Sequence, residues 1–203
     1  MGLPKVIKTG EFTYADYCTW PEGERWELID GAAWAMSPAP TNTHQLIVGG
    51  LFAAIHNHLR GKSCRPFVAP FDVRLPKGDN ADHVVDTVVQ PDISVVCDPA
   101  KLKDNHGCLG APDWVIEVIS PGSALRDQKV KRALYERHGV PEYWLIHPVD
   151  RSIAIYRLGP SGYAQPQMFG CDEHCAPAAF PDLEISVAEV FIDVAPLDDA
   201  TTG

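Results

Sequence analysis

The sequence predicts an α/β (α+β) fold in which a central mixed β-sheet is flanked by helices, and three observations predict it. Residues 113 to 120 (DWVIEVIS), a helical stretch ending near residue 138, and residues 142 to 148 (EYWLIHP) have the order and length of a βαβ crossover. Such a unit sets two parallel strands side by side beneath a helix. Residues 25 to 36, RWELIDGAAWAM, place two short apolar runs around Asp30-Gly31, the signal of a two-residue hairpin. From Thr41 the period changes: Leu46, Ile47, Leu51, Ala54, Ile55 and Leu59 recur at three- and four-residue steps, with Asn57 and Arg60 off the stripe, as an amphipathic helix to about Arg60 requires.

The remaining elements follow in chain order. Phe67, Ala69, Phe71, Val73 and Leu75 alternate as one strand over residues 67 to 75, stopped by Pro76 and Gly78. The polar loop KGDNADHVVD comes next; its Asp79, Asp82 and Asp86 lack the ligand spacing of a calcium loop and read as solvated. PDISVV (91 to 96) is a strand, followed by a loop with Lys101, Lys103, Asp104 and Asn105. After DWVIEVIS a helix begins at Ser123 and stops at Gly139. EYWLIHP and SIAIYRL (152 to 158) are strands joined through Asp150-Arg151. Beyond residue 159 the chain is rich in Pro and Gly, with periodicity only in SVAEVF, and LDDATTG is expected to be mobile. The expectation is one domain over residues 1–203, with a core over about 11–158 and C-terminal strands and a tail over about 159–203.

Composition narrows the class. A hydrophobic content of 45% and a charged content of 22% match soluble proteins, and no apolar run approaches the ~18 residues needed to span a bilayer. No membrane association is expected. The N-terminus shows no apolar secretion segment, and Val6 stands where a myristoylation motif needs Ser or Thr, so a cytoplasmic location is expected. The six cysteines have no repeated CxxC spacing and are expected to be free thiols; CDEHC (171 to 175) lacks the second pair that zinc requires. A net charge of −10 argues against a protein that coats nucleic acid non-specifically, though a local basic face can coexist with acidic metal ligands.

Glu117 is the residue that asks for an explanation, because a carboxylate inside an apolar strand costs several kcal/mol unless it is paired or metal-bound. Asp92 opens the preceding strand. If the two strands are neighbours, these carboxylates converge and repel unless a divalent cation lies between them, and Mg²⁺ suits two carboxylates with water or phosphate oxygens completing its shell. Hydrolysis of a phosphodiester also needs a cationic or proton-transfer group. Lys131 is the candidate, in step with Asp127 and Tyr135 at intervals of four on one helical face, whereas Lys129 should point away. Tyr135 reads as structural support, and His44 as a hydrogen-bonded or DNA-facing residue, since no second ligand is spaced with it.

Together WELIDG, His44-Gln45, PDISVV, EVISP, the Asp127/Lys131/Tyr135 spacing and GVPEYWLI, in this order over about residues 11 to 158, resemble the Uma-two family of bacterial restriction endonucleases within the PD-(D/E)XK nuclease superfamily. The resemblance implies a restriction-endonuclease-like core with Asp92 and Glu117 as its acidic pair. Ile119 stands where the superfamily pattern has Lys, so the resemblance assigns the catalytic lysine to Lys131. It implies that Glu27 completes the metal site, that the cofactor is Mg²⁺ with Mn²⁺ as alternative, and that the activity is endonucleolytic cleavage of DNA. Analogy with the fold adds a homodimer, because two strands need two sites. Two other readings stand beside it: a catalytically weak DNA-binding or accessory protein that keeps the fold, and a protein-interaction module in which Glu117 is only an ion-pair partner.

Overall fold

The computed structural model describes residues 6–8, 11–21, 24–36, 39–78, 81–120 and 125–194. The expected helix start at Ser123, Asp79, the Asp82 side chain and the C-terminal LDDATTG lie outside the described residues. In chain order the strands and α-helices are β1 (Val6–Lys8), α1 (Tyr14–Tyr17), β2 (Trp26–Ile29), β3 (Ala32–Ala35), α2 (Asn42–Leu59), β4 (Arg65–Val68), β5 (Val73–Arg74), β6 (Val88–Val89), β7 (Ile93–Val96), β8 (Cys108–Leu109) and β9 (Trp114–Val118). They continue with α3 (Arg132–Arg137), β10 (Glu142–His147), β11 (Ser152–Gly159), β12 (Gly162–Tyr163), β13 (Gln167–Phe169), β14 (His174–Cys175), β15 (Ile185–Ser186) and α4 (Val187–Val190).

Two sheets carry the architecture. One has the order β1-β3-β2-β6-β5-β8; the other runs β12-β11-β10-β9-β7-β4, with β13 also on β11. The predicted crossover is present: β9 and β10 are parallel, with Glu117 opposite Leu145. β7 lies antiparallel on the other side of β9. The Asp30-Gly31 hairpin forms as expected, both residues holding positive φ (51° and 74°), the backbone that matches strand twist in a two-residue turn.

Side-chain alternation sorts the second sheet into two cores. Ile93, Val95, Trp114, Ile116 and Val118 pack against Ile47, Val48, Leu51, Ile55 and Leu59 of α2, together with Phe180, Leu183, Val187 and Phe191 from the C-terminal segment. The other face, with Val96, Val115, Tyr143 and Leu145, meets Leu134 and Tyr135 of α3, Val73 and Val89 of the first sheet, and Leu75 just past β5. Glu117 belongs to this second face by its place between Ile116 and Val118.

Four expectations need correction. Residues 67 to 75 are not one strand: β4 pairs with β7 in one sheet and β5 with β6 and β8 in the other, because Pro70 has no N–H to continue a ladder and the chain changes sheet there. In α2, Leu46 is 47% exposed while Val48 takes its place in the apolar stripe. The helix after β9 is not uniformly α: Arg126–Lys131 is a π-helical turn, with the Arg132 N–H bonded to the Asp127 carbonyl, before α3 begins. Cys64 and Cys97 are not free thiols but a disulfide, since they stand one residue past the Arg65–Val96 pair of the β4–β7 ladder; Cys18, Cys108, Cys171 and Cys175 are free. Among the described residues, no helix is long and apolar enough to cross a membrane.

Candidate active site

Two of the chain's passages between the sheets, at residues 69–72 and at 90–92, lie side by side, and the candidate site lies at this corner. One residue beyond the Ile93–Ile116 pair, the antiparallel register sets Asp92 opposite Glu117, so both carboxylates rise from the same face of adjacent strands. Glu27 arrives from β2 of the first sheet, Arg126, Asp127 and Lys131 from the π-turn, and Tyr135 from α3. Capping fixes the last contributor: the Thr41 hydroxyl accepts from the His44 N–H at 3.2 Å, holding His44 in the first turn of α2.

What compensates Glu117 is a lysine. The Lys131 ammonium donates to Glu117 Oε1 and pairs with Glu27 Oε1, each at 2.8 Å, and Tyr135 donates its hydroxyl to the same Glu117 oxygen at 2.8 Å. Lys131 is 1% exposed, whereas Lys129 faces solvent, as the spacing predicted. Arg126 approaches Glu27 Oε2 at 3.4 Å, the Gln90 N–H donates to Glu27 Oε1, and Asp127 lies 3.9 Å from both cations. Asp92 is held differently. Its Oδ2 accepts from the Val118 N–H at 2.8 Å and meets His44 Nε2 at 3.1 Å. Asp92, Glu117, Lys131, Arg126, Asp127 and His44 all line a cleft of about 130 Å³.

Burial and charge set the protonation states. Burial pushes the Glu117 carboxyl up to about 8, with Asp127, Asp92 and Glu27 adding to the rise and Lys131 opposing it. Burial also acts on Glu27, but Lys131 and Arg126 outweigh it and hold that carboxyl below its ordinary value. For Lys131 burial favours the neutral amine, yet Glu117, Glu27 and Asp127 win and raise its pKa well above the usual lysine range. Desolvation and the adjacent Glu117 keep the Tyr135 phenol protonated. Removing that hydroxyl by Tyr135→Phe should cost about 1 kcal/mol in a urea melt, because Glu117 keeps Lys131 but loses one of its two hydrogen bonds; a loss below about 0.3 kcal/mol would show the bond to be absent in solution.

The donor set fits a divalent metal in part. Glu27, Glu117 and Asp127 stand around the fixed cations Lys131 and Arg126, and the Glu117 carboxyl, raised first by burial, is raised further by Asp127, Asp92 and Glu27. Asp92 and Glu117 are hard oxygen donors on one wall of the cleft, the protein share that Mg²⁺ uses. Glu27 is fully buried and turned to Lys131 and Arg126, and among the described residues no three of His, Cys, Asp and Glu group as metal ligands. Glu27, expected at the metal site, here pairs with the lysine. Sequence reasoning missed Arg126 and Gln90. Arg126 carried no signal beyond adjacency to Asp127, and Gln90 contributes a backbone N–H, which any residue but proline has.

A mixed two-sheet core with Asp92 and the buried Glu117 on adjacent strands, a helix-borne lysine and a cleft at the sheet corner defines a restriction-endonuclease-like fold. The chain belongs to the Uma2 family, described as "Putative restriction endonuclease", whose model matches residues 14–188. Among solved structures it resembles a crystal structure from Anabaena variabilis, described as a "putative nuclease belonging to DUF820", with 24% sequence identity, a TM-score of 0.70, and coverage of 89% of this chain and 98% of that one. That likeness bears on the fold. No curated protein matches the chain.

Proposed function

We propose that this protein is a metal-dependent endonuclease that hydrolyses DNA phosphodiester bonds in the cleft, with Asp92 and Glu117 as metal ligands and Lys131 as the catalytic cation. The observation that carries the reading is the convergence of Lys131 on a carboxylate that stands opposite Asp92 across two adjacent strands. When bound, Mg²⁺ or Mn²⁺ would supply Lewis-acid activation of water and charge neutralisation at the phosphate. The chain's own groups do the rest. Because Lys131 stays protonated at neutral pH, it acts as a donor that orients the attacking water and stabilises charge developing on the phosphate, not as a base. Glu27 holds its Nζ in place, and Arg126, at the cleft wall, adds a second fixed positive charge. His44 and the Val118 N–H fix the Asp92 carboxylate, and Tyr135 fixes Glu117. Asp127 adds negative charge beside Lys131. A homodimer acting in the cytoplasm completes the proposal, one site per DNA strand.

One observation favours the second reading, a catalytically weak DNA-binding or accessory protein: Glu117 Oε1 is already taken by Lys131 and Tyr135. A supercoiled-plasmid assay separates the two. The nuclease reading expects nicking in Mg²⁺ or Mn²⁺, none in EDTA, and loss of nicking in Asp92→Asn. DNA binding without turnover under every metal condition would leave only the accessory role.

A further inference from the structure

The strand crossings that build the cleft also build a larger cavity beside it. This open groove measures about 720 Å³ and is lined by Tyr14, Phe67, Phe71, Asp72, Gln90 and Asn105, among others. The partition between the two is one residue thick. Ala69 lines the cleft and Pro70 the groove; Gln90 lines both, and Asp92, two residues on, lines the cleft. Ala69 and Pro70 are neighbours in the chain and Gln90 borders both spaces, so a phosphate in the cleft and a ring in the groove can belong to the same or adjoining nucleotides.

The lining combines a stacking face with a fixed acceptor. Phe67 and Phe71 lie face to face, their centroids 4.1 Å apart and their planes 6° from parallel, and both are only partly buried. Beside them Asp72 Oδ1 accepts from the Tyr17 hydroxyl at 3.1 Å and from Gln90 Nε2 at 2.9 Å, which holds the carboxylate in one orientation. Gln90 Oε1 in turn accepts from Arg25, a residue of the cleft, so one hydrogen-bonded chain runs from cleft to groove. Neither element serves the hydrolytic chemistry.

We propose that this groove receives an unpaired nucleobase of the DNA strand whose phosphate lies in the cleft, its ring stacked on the Phe67–Phe71 pair and its exocyclic amino group donated to Asp72. The proposal rests on the nuclease reading and adds a substrate class: DNA with a bulged, flipped or single-stranded base that carries an amino group. A paired base hides its faces in the helix stack, so only an extruded one can offer them, and aromatic platforms bind such bases with little regard to sequence. Asp72 supplies the preference, since adenine, cytosine and guanine present an amino donor and thymine does not.

The test is fluorescence anisotropy of the wild-type chain in EDTA with labelled duplexes of one sequence: fully paired, or carrying a single bulged adenine, bulged thymine or abasic residue. The bulged-adenine duplex should bind about tenfold more tightly than the paired or abasic one, the size expected for one stacked base. Phe71→Leu should bring its affinity down to that of the paired duplex. Asp72→Asn, nearly isosteric, should erase the preference for adenine over thymine, and it carries the test alone if melting shows Phe71→Leu to be unfolded. Equal affinity for bulged and paired duplexes, or a preference unchanged in the folded variants, would overturn the proposal. If the wild type still nicks plasmid in Mg²⁺ while showing no bulge preference, the groove assignment fails and the nuclease reading stands; if it neither nicks nor binds DNA, both fail.

Discussion

Replacing Lys131 with methionine is expected to abolish metal-dependent cleavage and to destabilise the fold by roughly 3 to 5 kcal/mol, the penalty for breaking a buried ion pair from one side. The reason is local. Lys131 is the 2.8 Å partner of both Glu27 and Glu117, and those carboxylates are 0% and 4% exposed. Without the ammonium, Glu27 keeps, among the described residues, Arg126 and the Gln90 N–H, and Glu117 keeps the Tyr135 hydroxyl beside further negative charge. Thermal and urea melts of wild type and variant measure the effect. A variant as stable as the wild type would show that Lys131 does not occupy the position between the two glutamates.

Glu117→Gln should also abolish cleavage, but with the opposite consequence for stability. The Gln carbonyl can still accept from Lys131 and Tyr135, Lys131 retains Glu27, and one of the four crowded carboxylates is gone. In EDTA at about pH 8 the variant should melt at or above the wild-type temperature. Titration gives a second signature. Glu117 is raised from 4.5 to about 8, so the folded chain holds that proton more tightly than the unfolded chain. Its contribution to stability is complete below about 4.5 and is lost as the pH climbs through 8. Glu27, whose carboxyl is lowered, works the other way, stabilising above its ordinary value and failing as the pH falls. The metal-free wild type should therefore lose melting temperature between about pH 5.5 and pH 8.5, and Glu117→Gln should lose less. Parallel pH profiles in the two proteins would refute the raised Glu117 carboxyl.

The positions that could be read from sequence share a property: their signal is local or chemically costly. Asp30-Gly31 announces a hairpin because positive φ is expensive for most residues, and Glu117 announces itself because a carboxylate in an apolar strand needs a partner. Lys131 was separable from Lys129 because a step of two turns a side chain to the far side of a helix, even where the turn is π. What stayed hidden depends on which strands become neighbours. Alternation over residues 67 to 75 is the same whether or not the chain changes sheet at Pro70, the Cys64–Cys97 pairing follows from the β4–β7 ladder, and Arg126 meets Glu27 only after two sheets have packed. Residues 175 to 194 gave little periodicity because they join the core through turns and two-residue strands, yet Phe180 and Phe191 pack with α2. The ion pairs of Glu27 stayed hidden for a similar reason: its register in the hairpin is visible in sequence, but the two cations it faces come from a segment about a hundred residues away.

Whether Asp92 and Glu117 together hold the divalent cation on which cleavage depends is read from anomalous difference density in crystals soaked in Mn²⁺. One strong peak is expected in the cleft, about 2.0 to 2.2 Å from a carboxylate oxygen of each residue, with Glu27 still on Lys131. A cleft without Mn²⁺, with Glu117 still bonded to Lys131 and Tyr135 in a crystal that binds the ion elsewhere, would contradict it.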